Sequence, residues 1–342
     1  MWTIGIDAHY RLFVLCVLNE KGEVVKEETI KGSPGDVARF VKGLRRPSRI
    51  CFEASCGYGT LYGELTPVAR EVVVAHPGQL RLIFRAKQKH DRVDARKLAK
   101  LLYLGEVPRV HVPTLDVRSW RGQIEFRRGL VTKSTRAKNA LRALVRTHAI
   151  VAPRGDSLWS RKGRAWAAAL ELPPLEALKR DMLLREIEFY RASIREVQKR
   201  LDEVAEAHAG VALLRTIPGV GPRTAEAFVA YVDKPERFGS ARLAGSYFGL
   251  VPSLDQSAGK ERFGHITREG PGTVRWLLTE AAWRAVRLSP SLRAFYERVL
   301  HGKKERKPLA LIATARHLSE VMLAMLKSGV EWEERRAEKK AA

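Results

Sequence analysis

Apolar positions near the N-terminus come in short unbroken runs. Thr3-Ile4-Gly5-Ile6-Asp7 is the first and closes on a carboxylate; Leu12–Leu18 is the second and is rich in β-formers. Asn19-Glu20-Lys21-Gly22 has turn chemistry, and 23–30 continues as a third strand. Ser33-Pro34 sets an N-cap residue before a proline at the first helical position, and Val37, Phe40, Val41 and Leu44 follow at helical spacing. Residues 49–53 read as a fourth strand, again ending in a carboxylate, 58–69 as a helix and Glu71–Ala75 as a fifth strand. Three hairpin-linked strands followed by alternating helices and strands predict a mixed α/β sheet covered by helices.

The pattern then becomes helical. Leu130, Ala137, Leu141, Leu144 and His148 keep helical spacing until Pro153-Arg154-Gly155 interrupts them. After Pro173-Pro174, the series Leu183, Ile187, Tyr190, Ile194, Val197, Leu201 and Val204 alternates steps of four and three, a heptad seam. An antiparallel helical hairpin and an intermolecular coiled coil both satisfy it. Residues 213–225 predict a helix, a Gly219-Val220-Gly221 turn and a second helix. Helical patterns return over 274–285 and 309–326, and the charged tail from Glu331 is expected to fray.

Charge narrows the partners. The 342 residues hold 62 Lys and Arg against 38 Asp and Glu, a formal +24. Between Asp116 and Trp166, thirteen basic residues stand against Asp116, Glu125 and Asp156. Such an excess calls for a polyanion, nucleic acid first. A hydrophobic content of 45% excludes a wholly disordered chain. No uninterrupted apolar run approaches the roughly 18 residues of a membrane helix, so no membrane partner is expected. The N-terminal residues show no basic leader or cleavage site, and three cysteines make no disulfide framework, so a reducing cytoplasm is expected. Cys51 and Cys56 lack a second ligand pair for zinc and read as small core residues. Neither a Walker-type phosphate loop nor a Gly-x-Ser-x-Gly elbow is present.

Four carboxylates stand out. Asp7 and Glu53 each end an apolar strand; Asp91 and Asp94, at i,i+3 spacing in a helical segment, share one face. If the first and fourth strands are neighbours, Asp7 and Glu53 meet at one sheet edge, and a helix packed across it brings Asp91 and Asp94 to them. Such a group needs cations, and Mg²⁺ with its oxygen ligands suits it. Ion pairing of Asp91 and Asp94 with Arg92, Arg96 or Lys97 is the plain alternative. Gly219 and Gly221 fit a turn that aims backbone amides at phosphate, or an ordinary helix–helix turn. The segment after Gly249-Leu250-Val251-Pro252 reads as a loop carrying Ser253, Ser257, Lys260 and Arg262, with His265 a possible base for a nucleophilic serine. Trp120, Trp159 and Trp166 read as core residues before base-stacking ones.

Ile4-Gly5-Ile6-Asp7, Phe52-Glu53-Ala54-Ser55, Asp91-Arg92-Val93-Asp94-Ala95, Ile217-Pro218-Gly219-Val220-Gly221, Gly249-Leu250-Val251-Pro252 and Ser257-Ala258-Gly259-Lys260 follow one another in an order that closely resembles the DEDD-type transposases of the insertion-sequence one-ten family, recombinases guided by a structured bridge RNA. The resemblance covers nearly the whole chain. It implies an α/β plus all-α protein: a ribonuclease-H-like (RuvC-like) mixed-sheet nuclease domain over 1–110, a basic helical and coiled-coil region over 111–208, a mainly helical C-terminal transposase domain with helix-hairpin-helix and serine loop over 209–330, and a charged tail over 331–342. It implies Mg²⁺ held by Asp7, Glu53, Asp91 and Asp94. Its nucleophilic serine, eight residues after the glycine of the Gly-Leu-x-Pro motif, falls on Ser257 and not on Ser253. The chain has Glu53-Ala54-Ser55-Cys56-Gly57 where the family often has Glu-Ala-Thr-Gly, and Ala258-Gly259 where it often has a glycine directly after the serine.

The implied activity is that of a DNA transposase and site-specific recombinase, cutting and rejoining DNA through a covalent serine link. The implied partners are DNA, a structured guide RNA and further copies of the chain, as a dimer or tetramer, one of which supplies the serine to another. Arg128 and Lys138 on the basic helix, Gly219, Gly221, Lys260 and Arg262 would hold nucleic-acid backbones. A RuvC-like junction resolvase using water, a non-catalytic nucleic-acid-binding protein and, more remotely, a sugar-kinase-like ATPase are the rival readings. From the charge alone, affinity for non-cognate DNA is expected to fall steeply between about 50 and 200 mM salt, as counterion release requires. Fluorescence anisotropy checks this, and a flat response would sever the +24 from binding.

Overall fold

Ile4 and Ile6 alternate with Thr3, Gly5 and Asp7 along the first strand, and both sets of side chains have a partner layer, which is why the strand reads as an unbroken apolar run. The computed structural model describes residues 1–83, 90–153, 155–257 and 260–334. It divides into two compact units, Met1–Leu115 and Asp116–Ala342, and the helical region expected over 111–208 shares the second unit with 209–330.

The N-terminal unit holds β1 (Trp2–Ala8), β2 (Leu12–Leu18), β3 (Val24–Lys31), α1 (Pro34–Gly43), β4 (Ser48–Glu53), α2 (Tyr58–Leu65), β5 (Glu71–Ala75), α3 (Pro77–Ile83) and α4 (Asp91–Leu104). The sheet order is β3-β2-β1-β4-β5. β1, β2 and β3 pair antiparallel, whereas β4 is parallel to β1 and β5 parallel to β4. The predicted mixed sheet is therefore present. Asp36 Oδ2 accepts from Ser33 N and Oγ, both 2.7 Å, at the start of α1. α2 stops at Leu65, four residues short of the expected end: Thr66 keeps helical dihedrals, but Pro67 has no N–H to donate to the Gly63 carbonyl.

One sheet face packs Ile4, Ile6, Ile50 and Phe52 under α1 and α2. The other is crossed by α4: Val14 and Cys16 meet Ala95 and Ala99, and Cys51 meets Leu98 and Leu102. Gly5 is the point of contact. A Cβ there would lie 2.2 Å from the Ala95 carbonyl oxygen and 2.3 Å from the Ala99 nitrogen. The helix backbone thus rests on the strand backbone, with alanines on its inner face. Cys16 and Cys51 are buried, and burial pushes their thiols up to about 11 and about 12, out of reach of thiolate chemistry at neutral pH. Cys56 departs from the core reading: it is exposed, since it follows the strand end in the turn before α2.

The C-terminal unit contains α5 (Leu115–Thr147), α6 (Arg161–Ala168), α7 (Pro174–Glu206), α8 (Ala209–Leu214), α9 (Pro222–Val232), α10 (Leu243–Tyr247), β6 (Pro252–Ser257), β7 (Lys260–Ile266), α11 (Gly272–Leu288), α12 (Pro290–Leu300) and α13 (Lys307–Ser328). α5 and α7 run antiparallel. Arg127 Nη2 donates to Gln198 Oε1 at 3.0 Å near one end, and His148 pairs with Glu176 at the other. The heptad seam is partly filled: Ile187 and Leu201 are buried, while Val204 stays exposed. The core of the unit joins Trp120 and Ile124 of α5, Leu201 of α7 and the apolar faces of α8 to α13. α13 is long and apolar enough to cross a membrane, and here Thr314, Leu318, Met322 and Leu323 are buried in that core. The tail expected to fray from Glu331 is docked as far as it is described: Trp332 N donates to Thr216 Oγ1, and Ser291 N donates to Glu334. Residues 335–342 lie outside the described residues.

Gly5→Ala is expected to lower stability by about 1–3 kcal/mol or more, because backbone rather than side chain must give way. Thermal unfolding checks this; an unchanged Tm would show that α4 does not rest on β1.

Candidate active site and basic surface

The acidic edge follows from register. Gly5 pairs with Cys51 and Ile6 with Phe52, so the next positions, Asp7 and Glu53, sit side by side where β1 and β4 end. Both share the parity of Gly5 and Cys51, the face crossed by α4. Ser55 Oγ donates to the Ala8 carbonyl at 3.4 Å and ties the two strand ends together. α4 begins at this edge with Asp91 and Asp94 in its first turn, where the helix dipole favours carboxylates.

Three of these groups converge. His9 Nε2 lies 3.3 Å from Asp7 Oδ2 and 3.7 Å from Asp91 Oδ2, and one ligand atom from each of the three falls within 4.8 Å of the others. Two carboxylates and an imidazole form a donor set that suits a divalent cation. Asp94, one turn along α4, has Lys97 Nζ at 3.4 Å. Of the plain alternatives, only the Lys97 pairing appears in the described contacts. Arg96 instead donates to Glu27 of β3, with Nη2 at 2.8 Å. His9 was missed as a member of the group; its place two residues after Asp7, on the same side of the chain, was the available signal.

The segment expected to be a serine loop is a β-hairpin. Leu254 pairs with Phe263, and Ser257, the last residue of β6, is opposite Lys260. The density of serine and glycine concealed strands whose backbone groups are satisfied across the ladder. The Ser257 and Lys260 side chains lie outside the described residues, as do Ala258 and Gly259. His265 is corrected as a partner for Ser257: it lies at the opposite end of β7, beside the Pro252–Ile266 pairing, about 15 Å away along the strands. Arg262 is exposed.

The basic helix gives a mixed picture. Arg128 is half-buried, donates to Thr273 Oγ1 at 2.6 Å and covers the Trp276 ring at 5.5 Å. Lys138 and Arg142 lie over Trp159, at 5.4 and 4.9 Å. Trp120 is a core residue, and its Nε1 donates to Glu226 Oε1 at 3.1 Å. Glu226, 1% exposed, was not anticipated; burial pushes its carboxyl up, and Arg223, 2.7 Å away, opposes that shift. Nothing in the alternation of α9 marks a glutamate as buried.

Between α8 and α9 the chain turns through Gly219, whose φ is +93° and whose added Cβ would lie 2.5 Å from Ala285 N on α11. Gly221 is the N-cap of α9 at φ −84°, with open space around it, and Pro222 opens the helix.

Residues 4–150 match the DEDD-type transposase family of IS110, and residues 211–297 match the Transposase IS116/IS110/IS902 family. The chain is 25% identical to a probable family 20 transposase of Pseudomonas aeruginosa, over 91% of this chain and 92% of that protein. It is 26% identical to the putative transposase y4pF/y4sB of Sinorhizobium fredii (95% and 84% covered) and 24% identical to the transposase for insertion sequence element IS1111A of Coxiella burnetii (82% and 76% covered).

The two glycines of the turn differ in what they tolerate. Gly219→Ala is expected to destabilise the C-terminal unit by about 2–5 kcal/mol, from left-handed backbone and overpacking against α11, whereas Gly221→Ala, in open space at an N-cap, costs only about 1 kcal/mol. Parallel thermal melts test the pair; equal losses would refute the assignment.

Proposed function

The chain belongs to the IS110/IS116 transposase family and is a transposase of an insertion sequence; from that premise we propose a mechanism in which Ser257 attacks DNA beside a divalent-ion site built on β1, β4 and α4. The observation that carries this reading is the convergence of Asp7, His9 and Asp91 at the end of β1, with Glu53 on the same edge and face. In this reading Asp7, Glu53, Asp91 and Asp94 hold Mg²⁺. His9 anchors the pair formed by Asp7 and Asp91. A bound divalent ion would polarise the scissile phosphate and offset charge on the leaving oxygen.

The Ser257 hydroxyl gives up its proton, its Oγ bonds to phosphorus, one phosphodiester oxygen of the strand departs and takes a proton, and the serine–DNA link is later reversed by a new strand end. Ser257 is the last residue of β6, and the end of a two-stranded hairpin is a place well suited to delivery into another copy of the chain, as a dimer or tetramer requires. The antiparallel α5 and α7 serve as the coiled-coil region, and α8, the Gly219–Gly221 turn and α9 serve as a helix-hairpin-helix that offers backbone amides to phosphate. Lys138, Arg128, Lys260 and Arg262 contribute to the surface for DNA and a structured guide RNA. Base pairing with that RNA supplies target choice, and the protein reads backbone and shape.

Two measurements test the reading. A divalent ion at a hundredfold excess over its Kd should stabilise the protein by about 2.7 kcal/mol in thermal melts, and Asp7→Asn or Asp91→Asn should abolish the gain. RNA that co-purifies with the protein is sequenced, and labelled DNA incubated with that complex should yield a protein-linked strand on denaturing gels that Ser257→Ala lacks. Cleavage retained by Ser257→Ala without the link would favour water as nucleophile, as in a junction resolvase.

A further inference from the structure

A cleft of about 370 Å³ opens between α5, α7, α9 and α11 of the C-terminal unit and shares no lining residue with the acidic edge, the serine hairpin or the glycine turn. Its walls are apolar: Ile124 and Val131 of α5, Leu201 of α7 and Leu277 of α11. Its floor holds Arg127 and Arg223 with the buried Glu226, and Trp276 stands at its lip, half exposed, under the Arg128 guanidinium. Pockets of this volume accept compact ligands.

The hydrogen-bonding capacity of the cleft is one-sided. Both oxygens of Glu226 are engaged, Oε1 by Trp120 Nε1 and Oε2 by Arg223. Thr132 and Thr135 spend their hydroxyl protons on the carbonyls of Arg128 and Val131. Thr273 Oγ1 accepts from Arg128 and donates to Glu125. Donors remain in excess. Arg127 Nε and Arg223 Nε find no acceptor among the described residues but are themselves buried beyond a ligand's reach; the guanidinium groups a ligand can meet are those of the half-buried Arg128 and the exposed Arg136, and four arginines line the cleft against one carboxylate. Burial first, and then the neighbouring Arg223, pull the Arg127 pKa down, against the opposing charges of Glu226 and Asp202.

A ligand that satisfies this cleft is flat and mostly apolar, with adjacent acceptors on one edge. A bare phosphate fits the arginines but not walls of isoleucine, valine and leucine. Adenine and cytosine bring amino donors toward guanidinium donors. Guanine presents O6 and N7 side by side, the acceptor pair that arginine donors match, and its ring can stack on the indole of Trp276. We propose that this cleft receives an unpaired guanine base from a single-stranded or looped segment of the nucleic acid the protein handles. The inference rests on nucleic-acid binding but not on the acidic edge or on Ser257.

The test uses the full-length protein and fluorescein-labelled oligothymidine strands carrying one central guanine, adenine, inosine or 7-deazaguanine, with the same series in RNA on a uridine background. Anisotropy titration should show about tenfold tighter binding of the guanine and inosine strands over adenine, the spread expected of one bidentate arginine contact, and loss of that gain with 7-deazaguanine. Preference in one backbone alone identifies the strand that is read. Val131→Phe, which fills the cleft, should remove the preference while affinity for plain oligothymidine stays within about twofold, and Trp276→Ala, which removes the stacking surface, should remove the preference together with part of the affinity for every strand. Equal binding of all four bases in both backbones overturns the cleft alone. A preference that survives both variants, with Tm retained, also overturns it. Failure of every strand to bind overturns nucleic-acid recognition and the cleft together.

Discussion

The closeness of α4 to β1 is the constraint on which the N-terminal unit depends. A strand and a helix normally meet through side chains, but at Gly5 there is none, and the helix sets the backbone of Ala95 and Ala99 against it. The helix start is thereby drawn down to the end of the strand. Asp91 reaches His9 and Asp7 because of that short distance, not because of any attraction between the carboxylates, which repel. Parallel pairing of β1 with β4 adds Glu53 to the same edge. Packing energy in the sheet thus holds together a cluster that electrostatics alone would disperse.

The C-terminal unit solves a different problem, how to fold a strongly cationic chain around one apolar core. Many of its arginines are tied down as structural donors. Arg121 of α5 donates to the carbonyls of Ala230 and Tyr231, and Arg237 to that of Val232, so guanidinium groups satisfy the carbonyls that end α9. Arg223 pairs with Asp202 and with the buried Glu226. These guanidinium groups keep their charge but spend N–H donors inside the unit, so fewer donors face a polyanion than the formal +24 suggests; others lie over exposed tryptophans, as Arg128 does on Trp276 and Arg287 on Trp283.

Much of this architecture was readable in the chain. The five strands, the helix opening at Pro34, the basic helix, the helix after Pro174 and the turn at Gly219 each carry local chemistry that admits few alternatives. The misreadings have a common origin. The hairpin of β6 and β7 looks like a loop because most of its described residues are exposed, and the cross-strand pairings, Leu254 with Phe263 among them, make it a ladder. Glu331 to Glu334 look like a frayed end because no local signal shows that Glu334 will accept from Ser291 and Trp332 N will find Thr216.

By itself the sequence determined the periodicities, the turns, the charge excess and which strands end in carboxylates, since each of these depends on neighbours a few residues away. Only the tertiary structure decided that His9 joins Asp7 and Asp91, that Glu226 is buried under an arginine-rich cleft, and that Arg128 is bound to Thr273 instead of free. Those outcomes depend on which face of one element comes to rest on another. That choice is made by shape, at contacts such as Gly5 on Ala95 and Gly219 on Ala285, where a single missing Cβ sets the distance between backbones.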